Sequence, residues 1–213
     1  VFSIALSTYI MTVEPTASFW DAGEYISTSA KLQVGHPPGA PLFQMLGAVF
    51  ASFAQNPEKI ALMVNMMSVF SSAFTILFLF WTITLLVTKI YPFENHKSSA
   101  DKFVFFSSAS VGALSLCFSD SFWFNAVEAE VYAMAMLILS ILFYLALKWE
   151  KEMNTPRGDK WLLLISFVIG LSFGVHFMGL LTIPAIGMLY YLKNYKKVTF
   201  KGFILANVIS VSY

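Results

Sequence analysis

Long apolar runs separated by short polar segments set the plan of this chain. Crossing a hydrocarbon core of about 30 Å takes about 20 helical residues. Five runs reach or approach that length: Ile60 to Val87, Phe103 to Phe118, Val131 to Leu147, Trp161 to Val175 and Phe177 to Leu192. Two more, Val1 to Val13 and Gly202 to Tyr213, lie at the ends of the chain. The pattern predicts an all-α integral membrane protein built as a multi-span helical bundle. With no initial Met and an apolar run at its close, the chain is expected to be a single transmembrane domain over 1–213, truncated at both ends, the N-terminal part of a longer protein. The first run resembles the core of a secretory signal in length, but no basic segment precedes it and no small-residue cleavage site follows.

The polar segment EPTASFWDAGEYISTSAKLQVGHPPGAP, residues 14 to 41, interrupts this pattern. Ser18 and Asp21, then Asp21 and Glu24, have capping-box spacing, which predicts a helix from about Phe19 to Gln33. On it Asp21, Glu24, Thr28 and Lys31 share one face, and Phe19, Ala22, Ile26 and Ala30 share another. Such a helix suits the membrane surface, its polar face turned to water or to a cleft. His36 and Pro37 each precede a proline and are driven to extended geometry, while Gly39 is free to take a positive φ. Pro41 suits the first turn of a second short helix, Leu42 to Ala54, too short to span.

Composition agrees: 58% hydrophobic and 12% charged residues exclude an ordinary soluble domain. The lone Cys117 excludes a disulfide or a cysteine metal cluster within the chain. Cytoplasmic loops collect Lys and Arg. With the 14–59 loop outside, Lys89, Lys97, Lys102, Lys148, Lys151, Arg157, Lys160, Lys193, Lys196, Lys197 and Lys201 fall inside, and only Lys31 and Lys59 fall outside. The outer face then carries Glu14, Asp21, Glu24, Glu58, Asp120, Glu128 and Glu130 with His36 and His176, so the groups fit for acid–base work gather on one side.

Two other outer segments bear candidates. In SDSFWFNAVEAEVYAM, residues 119 to 134, the aromatics suit an interfacial belt. Glu128 and Glu130, two residues apart, cannot share a helical face, so at most one meets a given cleft, and Glu130 is the choice. In GLSFGVHFMG, His176 divides the apolar stretch Trp161 to Leu192 into two short spans turning at the outer surface. It is either a hydrogen-bonded packing residue or a functional one. Asn65, Ser68, Ser72 and Thr75 form a helical stripe that reads as packing glue. Asp21 and Glu24 have a plain alternative as helix-capping carboxylates, and Lys31 as a snorkelling lysine.

EPTASFWDAGEYISTSAKLQVGHPPGAPLF, followed by VNMMSVFSSAFTILFLFWTI, resembles the N-terminal membrane domain of a bacterial family long described as of unknown function. That family is related to an animal transmembrane protein O-mannosyltransferase, and both are similar to the GT-C superfamily of multi-spanning glycosyltransferases. WDxGE with HPPGxP carries most of the likeness, and FWFNAVEAEVYAM and GLSFGVHFMGLL match more loosely. The resemblance implies a GT-C-like bundle whose first outer loop holds short interfacial helices. It implies transfer of a sugar, mannose or similar, from a polyprenyl-phosphate donor to a Ser or Thr hydroxyl of an acceptor protein at the periplasmic or lumenal face. A bacterial inner membrane is then the expected location. Asp21 matches the acidic residue that activates the acceptor, Glu24 would orient it, and His36, Lys31 or His176 would steady the leaving phosphate. No metal is demanded by spacing, though a divalent ion is not excluded, no further cofactor is expected beyond the lipid-linked co-substrate, and no nucleic-acid partner. The rival readings are a transporter, disfavoured by the lack of charge at mid-depth, and a non-catalytic scaffold.

Overall fold

The structure is a computed structural model that describes residues 1–91 and 98–212; Lys97, expected at the inner face, and Tyr213, the expected end of the last run, lie outside them. Regular structure among the described residues is helical. It comprises α1 (Phe2–Thr12), α2 (Ala22–Lys31), α3 (Pro41–Ala51), α4 (Ile60–Ile90), α5 (Ser99–Cys117), α6 (Asp120–Ala126), α7 (Val131–Glu152), α8 (Gly158–Ser172), α9 (Thr182–Asn194) and α10 (Phe200–Ser212), with 3-10 turns at Pro57–Lys59 and Phe177–Leu181. Among the described residues two helices are long and apolar enough to cross a membrane, Pro57–Ile90 and Val131–Glu152. The pair Ser99–Cys117 and Asp120–Ala126, bent by 70°, makes a third if taken as one span. The expected spans at 161–175 and 177–192 form helices of 15 and 13 residues, α8 and α9, each below the length of a full crossing.

α4 and α7 pack against each other at the centre. One apolar cluster, with Phe43, Leu142 and Ile165, joins α3, α7 and α8. A second, with Tyr9, Ile76 and Cys117, joins α1, α4 and α5. Glu150 near the end of α7 binds Lys193 of α9 at 2.9 Å and also Lys89 of α4. The C-terminal ends of α4, α7 and α9 therefore meet at one basic end of the bundle. The segment 14–41 and the loop 127–130 lie at the other.

That second end is stitched by backbone and amide bonds. Asn65 of α4, fully buried, donates from Nδ2 to the carbonyls of Glu14 at 2.7 Å and Thr16 at 2.9 Å. The expected packing stripe thus begins with a residue that anchors the polar loop, while Ser68, Ser72 and Thr75 are buried as packing residues. The N–H groups of Leu42 and Phe43, orphan donors in the first turn of α3, donate to the carbonyl of Gly174 at 2.7 and 3.2 Å. Gly174 is required by that approach, because a Cβ there would lie 2.7 Å from Leu42 Cβ. Gly174→Ala is expected to lower stability by about 1–3 kcal/mol through overpacking. A fall in unfolding temperature in detergent checks this, and an unchanged temperature would show that α3 does not depend on the contact.

Candidate active site

The polar segment is laid down in three steps. α1 stops before Glu14, whose helical geometry the following Pro15 disfavours. The chain then runs beneath the 127–130 loop, with the Glu14 N–H donating to the Val127 carbonyl at 3.0 Å. Next comes Trp20 with φ 59, left-handed for a non-glycine residue, at a cost of about 1–2 kcal/mol. The sharp reversal is held from both sides. Ser18 gives its hydroxyl to Glu128 Oε2, and the Asp21 N–H donates to Glu130 Oε1 at 3.1 Å.

This arrangement corrects the expected helix Phe19 to Gln33 to Ala22–Lys31. It also changes the capping reading: Asp21 and Glu24 stay at the positive end of α2, but no capping box forms. Asp21 is the N-cap residue, yet its carboxylate makes no cap hydrogen bond, and Ser18 is engaged elsewhere. The expected faces shift as well: Thr28 is buried and accepts from Gln44 Nε2 at 3.0 Å, so that side of α2 packs on α3 rather than facing water.

Glu24 in the first turn of α2 reaches across to His36. Its Oε1 accepts the His36 backbone N–H at 2.6 Å, and both carboxylate oxygens lie 3.2 Å from His36 Nδ1. The backbone N–H first, and the imidazole second, hold the Glu24 carboxyl below its ordinary value. Gly35 lets the chain pass this close, since a Cβ there would sit 3.0 Å from Glu24 Oε1. With Nδ1 engaged by the carboxylate, Nε2 is the ring's remaining polar atom. After His36 the peptide between Pro37 and Pro38 is cis, and Gly39 has φ 81, a positive value as expected of that glycine.

Glu128 and Glu130 are not on a helix. Glu130 is the N-cap of α7 with extended backbone, φ −111 and ψ 147, so helical spacing does not separate the two. Both are buried and both line one cavity with Asp21, which corrects the expectation that only one meets a cleft. Within the 119–134 segment the short helix α6 forms ahead of them. Glu130 is only 5% exposed. Burial, then the charges of Asp21 and Glu128, push its carboxyl up to about 7. Burial also raises Glu128. Tyr25, buried and facing Glu130 and Asp21, is pushed up to about 12, chiefly by burial.

His176 lies at the turn between α8 and the 3-10 segment, where the chain was expected to reverse. Its Nδ1 accepts the Met178 N–H at 3.2 Å. That bond assigns the ring proton of the neutral form to Nε2, leaving an N–H to donate. A cavity of about 380 Å³ is lined by Asp21, Tyr25, His36, Glu130, Tyr132 and His176 together with Gly39, Phe173 and Phe177. Four of the six singled-out residues, Asp21, His36, Glu130 and His176, thus share one cavity, with Glu24 behind His36. Lys31 does not join them: it is exposed at the far end of α2, about 15 Å along the axis from Asp21. Asp21, Glu24 and His36 also place one ligand atom each within 4.8 Å of one another, a set that would suit a hard divalent cation. All three were sequence candidates, but their spacing along the chain demands no metal. Tyr25 was absent from the sequence candidates, and Glu128 was weighed there and set aside in favour of Glu130; both line the site.

Fold and site together define an all-helical chain with helices of membrane-crossing length and an acid–histidine cleft at one end of the bundle. The family model described as the protein O-mannosyl-transferase TMEM260 N-terminal domain matches residues 21–199, and the chain belongs to that family. Among curated relatives, protein O-mannosyl-transferase tmem260 of Dictyostelium discoideum is 27% identical over 154 residues, 72% of this chain and 17% of that protein. Protein O-mannosyl-transferase TMEM260 of Mus musculus is 26% identical over 172 residues, 81% of this chain and 22% of that protein. The chain therefore spans about a fifth of the length of these relatives. No solved structure matches.

Proposed function

We propose that this chain is the catalytic membrane domain of a GT-C-type glycosyltransferase that moves a mannosyl or similar residue from a polyprenyl-phosphate donor to a Ser or Thr hydroxyl of a protein. The observation that carries this is the convergence of Asp21, Glu130, His36 and His176 on one cavity. Asp21 has a carboxylate free of structural duty and takes the hydroxyl proton as the oxygen attacks the anomeric carbon. The bond from that carbon to the phosphate oxygen breaks on the opposite side, so the anomeric centre inverts. Departing phosphate needs donors: the His176 Nε2–H is one, and His36, whose Nδ1–H is given to Glu24, adds a second from Nε2 when the ring is an imidazolium. Phe173 and Phe177 line the same cavity and are partly exposed, which suits a donor arriving from lipid. The cavity lies at the end opposite the lysine-rich one, which supports a reaction at the non-cytoplasmic face.

The donor class is testable with purified full-length protein in lipid nanodiscs, offered mannose either on a polyprenyl phosphate or on a nucleoside diphosphate. Transfer to a Ser/Thr peptide is expected from the lipid-linked sugar alone. Equal or preferential use of the nucleotide sugar would reject the reading.

A further inference from the structure

A cavity of about 430 Å³ opens at the basic end of the bundle, between α7, α9 and α10, and shares no residue with the acid–histidine cleft. Its polarity is graded along the helices. Lys197 and Thr199 line it where α9 ends and α10 begins, whereas Ile186 of α9 and Leu205 and Ile209 of α10 line it further along. We infer that this cavity holds an anionic phospholipid of the cytoplasmic leaflet, with its phosphate at Lys197 and the start of α10 and an acyl chain along Ile186, Leu205 and Ile209. The inference rests on the membrane orientation that the lysines give, not on the glycosyltransferase reading.

Charge favours this occupant. From Lys160 onward the chain contains no Asp or Glu. Lys193 is held by Glu150, but Lys196, Lys197 and Lys201 have no acidic partner among the described residues. Phe200 opens α10, so the unmatched N–H groups and the positive dipole end of that helix lie beside them. The loop is held there because the Tyr191 hydroxyl accepts the Thr199 N–H at 3.1 Å. Basic pockets between helices at the cytoplasmic side are where anionic headgroups settle.

A buried donor turned to the cavity points the same way. Trp149 is 6% exposed, lines the cavity and stacks on Tyr190 with ring centroids 6.5 Å apart. Its indole N–H has no acceptor among the described residues, and the nitrogen is not sealed from an occupant. A buried donor in that state is costly unless a ligand supplies the acceptor. Ester and phosphate oxygens of a phospholipid are such acceptors. From Phe200 to Ile209 the wall runs about 13 Å along α10, enough to pass from headgroup level into hydrocarbon. A soluble anion would leave Ile186, Leu205 and Ile209 uncovered, and a neutral lipid would leave the lysines unpaired.

The test uses delipidated full-length protein in detergent, titrated with phosphatidylglycerol or phosphatidylcholine of the same acyl chains and read by native mass spectrometry. Phosphatidylglycerol is expected to bind about tenfold or more tighter. Lys197→Gln is expected to cost about fivefold of that preference, the worth of one basic residue against anionic lipid. Ile209→Trp, which fills the apolar end at a half-exposed position, is expected to weaken both lipids. A phosphatidylglycerol carrying a photoactivatable diazirine in its acyl chain is expected to label peptides of α9 and α10. Equal binding of the two lipids to the parent protein, or labelling confined to other helices, overturns the site, and neither result depends on a variant folding. An undiminished preference in Lys197→Gln or full binding in Ile209→Trp overturns it as well. A cavity filled in the full-length protein by another segment of its own chain would show as absent labelling and counts against the lipid.

Discussion

Asp21→Asn in the full-length protein is expected to cut sugar transfer by 10²–10⁴-fold, the usual worth of a positioned general base. Stability should barely move. The carboxylate makes no cap hydrogen bond, and the contact that fixes the residue is its backbone N–H to Glu130 Oε1, which the amide substitution leaves intact. An asparagine keeps the shape and cannot take a proton. Initial rates at saturating lipid-linked sugar, with unfolding temperature measured on the same preparations, separate chemistry from folding. A folded variant transferring at the parental rate would end Asp21's candidacy as base.

Glu130→Gln is expected to act in the opposite sense on stability. The Glu130 carboxyl is buried and pushed up to about 7, from an ordinary 4.5. Its folded-state value is raised, so the folded protein retains this proton between pH 4.5 and 7 while the unfolded chain releases it. The associated stability is fully present below pH 4.5, is lost as pH rises towards 7, and stays constant above. The loss is on the order of 3 kcal/mol. Glutamine carries no charge to bury, and its oxygen can still accept the Asp21 N–H. The variant's unfolding temperature should therefore pull ahead of the parent's between pH 4.5 and 7 and hold that lead at higher pH. Parallel temperatures across the range would mean that Glu130 ionises as freely as in water. A buried acid retained at such cost beside Asp21 is what a working site demands rather than what packing would choose.

Much of the frame was legible because apolar periodicity and proline placement are local. The starts of α4 and α7 and the turn at His176 follow from the apolar runs, the short helix near Pro41 from proline placement, and the grouping of Asp21, His36, Glu130 and His176 at one end from the Lys and Arg distribution, whereas α7 runs five residues past the expected Leu147. Errors arose where a local rule was extended past the element it governs. Helical spacing separated Glu128 from Glu130, but these residues precede α7 and are extended. Capping spacing assigned Ser18 to Asp21, whereas Ser18 is captured by Glu128 from a loop 110 residues away. The pairing of Glu24 with His36 depends on Gly35 allowing a close pass. Lys31 shares a face with Glu24 in projection, yet ten residues of helix carry it away from the cleft.

The most direct measurement is of the reaction product. Full-length protein is incubated with mannosyl phosphate on a polyprenol of known anomeric configuration and a Ser/Thr acceptor peptide, and the glycopeptide is resolved by mass spectrometry and NMR. The expected result is mannose on a hydroxyl with the anomeric configuration inverted relative to the donor, as single displacement assisted by Asp21 requires. Retained configuration, or no glycopeptide from an intact protein, would contradict it.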